Sequence, residues 1–255
     1  MQPLANEFGV GVDGCPGGWV YVALGPDQYL HGRVTSLDML FERVPANGLV
    51  FIDMPIGLGG IDEVGRQCDK EARRLLGVRR SSVFATPSRR ALNASTYEQA
   101  CVLNAAACGR KLSRQAFNIL PKIREVDAIM RASGHARTRF RESHPELNFR
   151  MFSGHPMTHN KRTAEGFSER LVVLEKRYPG ASDAIDAARR QLRQLGVTRD
   201  DIVDAFINAL VAACPNTEHM RVPAAADVDD CGLPRHIYSV RALPNDASQL
   251  RLGGQ

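Results

Sequence analysis

The chain predicts an α/β fold, a mixed β-sheet covered by helices. Three observations carry that expectation. Two short apolar runs separated by a Gly/Pro turn open the chain, with a third candidate strand behind them. A helical segment then leads to a fourth, wholly apolar run. Beyond it, most apolar residues recur at helical spacing.

In order, residues 1–7 read as a frayed start. Phe8–Asp13 reads as a strand, Gly14–Gly18 as a turn, and Trp19–Leu24 as the returning strand, bounded by Gly25-Pro26. Tyr29–Val34 extends this hairpin into a meander. Ser36 caps a short helix through Val44, and Leu49–Asp53, without alternating polar residues, reads as a buried strand. From Ile61 to Ala132 the pattern is helical, over Asp69–Leu76, Thr96–Cys108 and Ser113–Arg131, with a basic, proline-bearing loop at Gly77–Arg90. Residues of about 60–132 are therefore expected as a helical insertion within a single domain spanning 1–255. Thr138–Glu142 reads as a strand, followed by a loop rich in His, Gly and Pro. Helices follow at about Thr163–Arg177, at 183–195 with Gly196 as the stop, and at Asp200–Ala213. His236–Val240 is expected as an edge strand, and the tail from Pro244 as disordered.

Composition narrows the class. The 255 residues are 44% apolar and 24% charged, which suits a soluble globular protein with a substantial core. No apolar run reaches the roughly 20 residues of a membrane span, and Met1–Glu7 lacks the features of a signal peptide, so a cytoplasmic location is expected. The six cysteines include no Cys-x-x-Cys pair and read as reduced thiols. A net charge of +5, carried by arginine, permits a polyanionic partner without requiring one.

Acidic residues give the functional lead. Asp13 and Asp53 each end an apolar strand, Glu142 closes another, and Asp201 and Asp204 stand one turn apart on a late helix. Acids at strand ends that converge with a helix-borne pair can hold divalent cations for phosphate chemistry. Simpler roles compete at several positions. Asp13 precedes a glycine and suits turn capping. Asp201 suits a helix N-terminus, and Glu142 an ion pair with a nearby arginine. Asp53 is harder to explain this way, because Phe51-Ile52 and Met54-Pro-Ile56 surround a carboxylate that must be compensated. Asp204 precedes Ala205, Ala209, Ala212 and Ala213, small residues that let a helix approach a sheet closely. Gly9-x-Gly-x-x-Gly14 matches a dinucleotide fingerprint, but a strand follows it where that motif needs a helix. Arg79, Arg80 and Arg89 in the insertion, with Lys161, Arg162 and Arg170 later, form either a solvated basic surface or a phosphate site. Trp19, Phe84 and Phe117 read as core rather than stacking platforms.

Several ordered blocks carry a resemblance. They include Gly11-Val-Asp-Gly14 with Gly17-Gly-Trp-Val20, Ile52-Asp-Met-Pro-Ile-Gly57, Cys68-Asp-Lys-Glu-Ala-Arg73, Ser82-Val-Phe84 and Pro87-Ser-Arg89. Gln115, Lys122–Asp127, Glu142-Ser-His-Pro-Glu146, Lys161–Gly166, Arg170 and Asp204-Ala205 continue the series. From about residue 9 to 240 the chain resembles the DUF429 family, whose members are described as predicted nucleases of ribonuclease H-like fold. The resemblance implies a ribonuclease H-like mixed sheet and metal-dependent hydrolysis of nucleic acid, DNA or RNA. Asp13, Asp53 and Asp204 would then hold Mg²⁺ or Mn²⁺, with Asp201 or Glu142 assisting. Whether Asp53 or Glu142 completes the metal shell stays open at the level of sequence. Two rivals share the fold core: a non-catalytic nucleic-acid-binding or assembly module, and an actin-like or sugar-kinase-like phosphotransferase. The latter usually duplicates the core, and this chain has room for one copy.

Overall fold

The meander expected at the start of the chain forms as β1 (Gly9–Cys15), β2 (Gly18–Leu24) and β3 (Tyr29–Val34). These come from a computed structural model that describes residues 8–241 apart from Asp27, Asp62 and Val64. The frayed start and the disordered tail expected from sequence lie outside the described residues. After β3, Ser36 caps α1 (Leu37–Arg43), its hydroxyl accepting from the Met39 amide, and β4 (Leu49–Ile52) follows. The helical stretch comprises α2 (Gln67–Leu76), α3 (Tyr97–Cys108), α4 (Arg114–Asn118), α5 (Leu120–Ala132) and α6 (Gly134–Arg139). Then come β5 (Phe140–Glu142), α7 (Pro145–Ser153), α8 (Ala164–Arg177), α9 (Ala181–Leu192), α10 (Arg199–Ala213), β6 (His219–Val222) and β7 (Ile237–Val240). Among the described residues no helix is long and apolar enough to cross a membrane.

Five strands form one mixed sheet in the order β3-β2-β1-β4-β5. The β1–β2 and β2–β3 pairs are antiparallel; β1–β4 and β4–β5 are parallel, as their helical connections require. Register decides which side chains share a face. Gly11 pairs with Phe51, Val12 with Ile52, and Ile52 with Glu142. Because side chains alternate, Gly9, Gly11 and Phe51 project to one face, and Val12, Ile52 and Glu142 to the other.

Helix α10 packs across β1, β2 and β4 on the glycine face. A Cβ on Gly11 would lie 1.9 Å from the Ala205 carbonyl oxygen, and one on Gly9 2.2 Å from the Ala213 nitrogen. Glycine at these two positions is thus what lets the helix backbone rest on the strand backbone. The helix begins in a capping box, in which the Thr198 hydroxyl accepts from the Asp201 amide and the Asp201 carboxylate from the Thr198 amide. Every residue from Ile202 to Ala212 is buried, as expected of a helix that is apolar on most of its circumference.

The chain divides into two compact units. Among the described residues, one comprises 8–53, Arg139–Met220 and 238–241; the other comprises 54–138 and Arg221–Ile237.

Four expectations from sequence need correction. Ser113–Arg131 is two helices, because Pro121 near the start of α5 has no amide hydrogen and cannot continue a helix running through Phe117. Thr138 belongs to α6, where its hydroxyl donates to the His135 carbonyl at 2.8 Å, so the strand begins only at Phe140. The loop expected after Glu142 opens instead with α7, which has Pro145 in its first turn and left-handed Gly154 at its end. The strand expected at His236–Val240 pairs with β6, which was not foreseen, in a two-stranded sheet; Tyr238 adds a single parallel bridge to Ser143. The basic loop 77–90 is partly ordered as short 3₁₀ turns at Gly77–Ser82 and from Arg89.

Candidate functional site

One step beyond Gly11 on the same face, β1 presents Asp13. The Asp53 amide donates to the Val12 carbonyl at 3.0 Å, so strand pairing continues one residue past β4. Asp53 consequently leaves the sheet on the face of Asp13. The neighbour of Asp204 on α10, Ala205, lies over Gly11, which places Asp204 at the same end of the sheet. Three carboxylates from three distant segments thus come within electrostatic range of one another.

Each carries the mark of that proximity. Burial, followed by the charges of Asp53 and Asp204, pushes the Asp13 carboxyl well above the usual carboxylate range. Burial also raises Asp53, against the lowering influence of His144 and Lys161. Asp204 is pushed up to about 6, chiefly by burial, with Lys161 opposing and Asp53 reinforcing the shift. The Lys161 ammonium bonds Asp204; burial would lower its pKa, but the acids around it, Asp204 first, raise it overall. One ammonium cannot balance three carboxylates. Asp204 is buried, whereas Asp13 and Asp53 keep partial exposure. An oxygen-donor set of this kind suits a hard divalent cation.

Local structure fixes Lys161 as well. The turn at Asn160 and Lys161 lies against the first turn of α8, where a Cβ on Gly166 would sit 1.9 Å from the Asn160 oxygen. Thr163 caps that helix by accepting from the Gly166 amide at 3.1 Å. The turn reading of Asp13 has a counterpart too, since its carboxylate accepts from the Gly14 amide at 2.7 Å. Asp201 acts on Asp13 electrostatically while its own carboxylate is engaged in the capping box.

The remaining candidates are placed differently. Glu142 is buried and projects to the sheet face opposite Gly11, because it pairs with Ile52. Strand parity therefore favours Asp53 over Glu142 as the companion of Asp13. Glu146, on the first turn of α7, acts on both Asp53 and Asp204, a role sequence reasoning missed. The Pro145 and Gly154 punctuation around α7 was the available signal for it. Arg170 is fully buried, bonded to Glu146 and to the Gly166 carbonyl at 2.8 Å, so it stands as an internal partner of Glu146 rather than a surface phosphate ligand. Arg162 is exposed beside Lys161. In the other unit, Arg79 and Arg80 lie on the first 3₁₀ turn, and Arg89 pairs with Asp127 and Asp229.

Two outcomes follow from this geometry. Arg170→Met should destabilise the protein by about 3–5 kcal/mol in chemical denaturation, because it strands a buried carboxylate. Adding Glu146→Gln should recover much of that loss; no recovery would show that Arg170 contributes through packing alone. The second outcome concerns pH. A carboxyl raised in the folded state, as Asp13 and Asp204 are, contributes stability that is present below its ordinary pKa of 3.8 and is lost as pH rises through the folded value, about 6 for Asp204. In metal-free buffer Asp13→Asn should therefore be more stable than wild type by roughly 1–3 kcal/mol near pH 7.5, with the gap closing towards about pH 4. Thermal melts across that range measure it, and a gap independent of pH would contradict the repulsion.

A five-stranded mixed sheet ordered 3-2-1-4-5 with flanking helices has the topology of a ribonuclease H-like α/β fold. The chain belongs to the DUF429 family, whose model, described as "Protein of unknown function (DUF429)", matches residues 11–228. No curated protein and no solved structure matches it.

Proposed function

We propose that this protein is a metal-dependent nuclease that hydrolyses phosphodiester bonds of nucleic acid. The observation that carries the proposal is the convergence of Asp13, Asp53 and Asp204, with burial first and neighbouring acids second raising Asp13 and Asp204. These three side chains would hold Mg²⁺ or Mn²⁺. When bound, such an ion supplies Lewis-acid stabilisation of charge at phosphorus and activation of water. The protein's own groups supply the rest. Asp13 and Asp53, partly exposed, offer oxygen donors from the ends of two adjacent central strands, and Asp204 offers one from a buried helix. The capping box of Asp201 fixes the first turn of α10 and thereby the position of Asp204. Lys161, bonded to Asp204, would exchange that bond for the charge of a substrate phosphate.

A second reading is favoured by that same bond. Lys161 already compensates part of the acidic charge, which would suit a binding or assembly module whose site holds no ion. Calorimetry with Mn²⁺ and Mg²⁺ separates the two, alongside cleavage assays on single-stranded, duplex and branched DNA and on RNA. Metal binding that disappears in Asp13→Asn, together with metal-dependent cleavage, supports the nuclease. Absence of metal binding by the wild type would overturn it in favour of the module.

A further inference from the structure

The unit formed by Met54–Thr138 and Arg221–Ile237 contains a cavity of about 1070 Å³ whose wall carries Arg89, Arg90, Arg124 and Arg131. Two of these are compensated. Arg89 bonds both Asp127 and Asp229, and Arg131 approaches Asp127 at 3.7 Å. The other two keep their charge. Arg124 donates from Nε to the Leu92 carbonyl at 2.8 Å and from Nη2 to the Ala94 carbonyl at 3.2 Å. Those bonds orient its guanidinium without neutralising it and leave further N–H donors for a ligand. Arg90 is exposed, and among the described residues no ion pair forms at Arg90 or Arg124. Among the described residues of the wall, four arginines stand beside two acids, Asp127 and Asp230.

The rest of the wall is neither purely basic nor purely polar. Half-buried Phe117 lines the cavity and is already held edge-on by Tyr97 at 5.5 Å between ring centroids. Exposed Asn93 and Asn118 add side-chain amides, which both donate and accept. Arginine forks match phosphate, an aromatic wall suits a base, and amides can read its edge. Size points the same way, since cavities of about 300–1,000 Å³ enclose whole organic ligands, far more than a lone phosphate ion.

We infer that this cavity is a ligand site for a nucleoside phosphate, either as a free nucleotide or as one residue of a strand. It needs no metal and does not depend on cleavage at the aspartate cluster.

Calorimetric titration of the full chain in EDTA tests it, with adenosine 5′-monophosphate and with a short oligothymidylate as separate probes. Wild type should bind at least one of them, and the charge-reversed variant Arg90→Glu/Arg131→Glu should bind it at least about tenfold more weakly with its far-ultraviolet spectrum unchanged. Both side chains are exposed, and Arg90→Ala alone serves as the milder variant if the double one misfolds. Binding of the mononucleotide identifies a free nucleotide as sufficient; binding of the oligonucleotide alone identifies the strand. No binding of either probe by wild type would overturn the inference. So would affinity that is unchanged in the arginine variants, or that is lost on Asp13→Asn instead. Because EDTA removes divalent ions, failure here is distinguishable from failure of the nuclease reading.

Discussion

Asp13→Asn should reduce metal-dependent cleavage by about 10²–10³-fold or more, the scale on which removal of one preorganised electrostatic group acts. The substitution nearly preserves shape while deleting one of the charges that a divalent cation needs. Its folded state should be intact and, without metal, more stable than wild type near neutral pH, since burial and the neighbouring acids penalise the ionised carboxylate. The combination of lost activity with gained stability separates a functional acid from a structural one. A structural turn cap would move both quantities downward, because the Gly14 amide would lose part of its acceptor. Cleavage and thermal melts on the same preparations measure the pair. Unchanged cleavage in the variant would place the reaction elsewhere.

Gly11→Ala should destabilise the protein by roughly 3 kcal/mol or more, because the clash involves backbone rather than a flexible side chain. The added methyl would stand 1.9 Å from the Ala205 oxygen and 2.3 Å from the Ala209 nitrogen, so α10 must shift away from β1. Such a shift also moves Asp204 relative to Asp13, and metal affinity should fall with stability. Gly134→Ala is the matched control. A Cβ there meets nothing within 4 Å, and the residue opens α6, so it should be neutral or slightly stabilising. Equal effects of the two substitutions on denaturation midpoints would refute the close-approach account.

Much of the sheet was legible because β1, β2 and β4 are short apolar runs bounded by glycine, proline or a helix cap. Asp53 stood out because its apolar neighbours leave a carboxylate to be compensated, and Asp204 because small residues follow it on the helix, whereas Asp13 before a glycine suited a turn cap equally well. Glu142 illustrates what was not legible. Its face depends on its pairing with Ile52, and strand pairing is a relation between segments that no local pattern records. Arg170 is similar. Its spacing from Gly166, Val173 and Leu174 marks a buried helical face, but its partner Glu146 lies on a helix that His, Pro and Gly disguised as a loop. Phe117 was expected in the core, yet it forms part of a cavity wall, because α4 ends one residue later and the chain restarts at Leu120.

The glycine face of β1 has a consequence for how the protein comes into being. During synthesis the β1–β2–β3 meander can pair locally, since its strands are adjacent in the chain. Its glycine face has no cover until α10, near the opposite end of the described chain, has left the ribosome. Asp13 therefore acquires Asp204 and Lys161 only in the last stage of folding, and an incomplete chain carries no assembled acid cluster. Assembly of the cluster therefore waits on a segment made well after the strands that carry its other two acids.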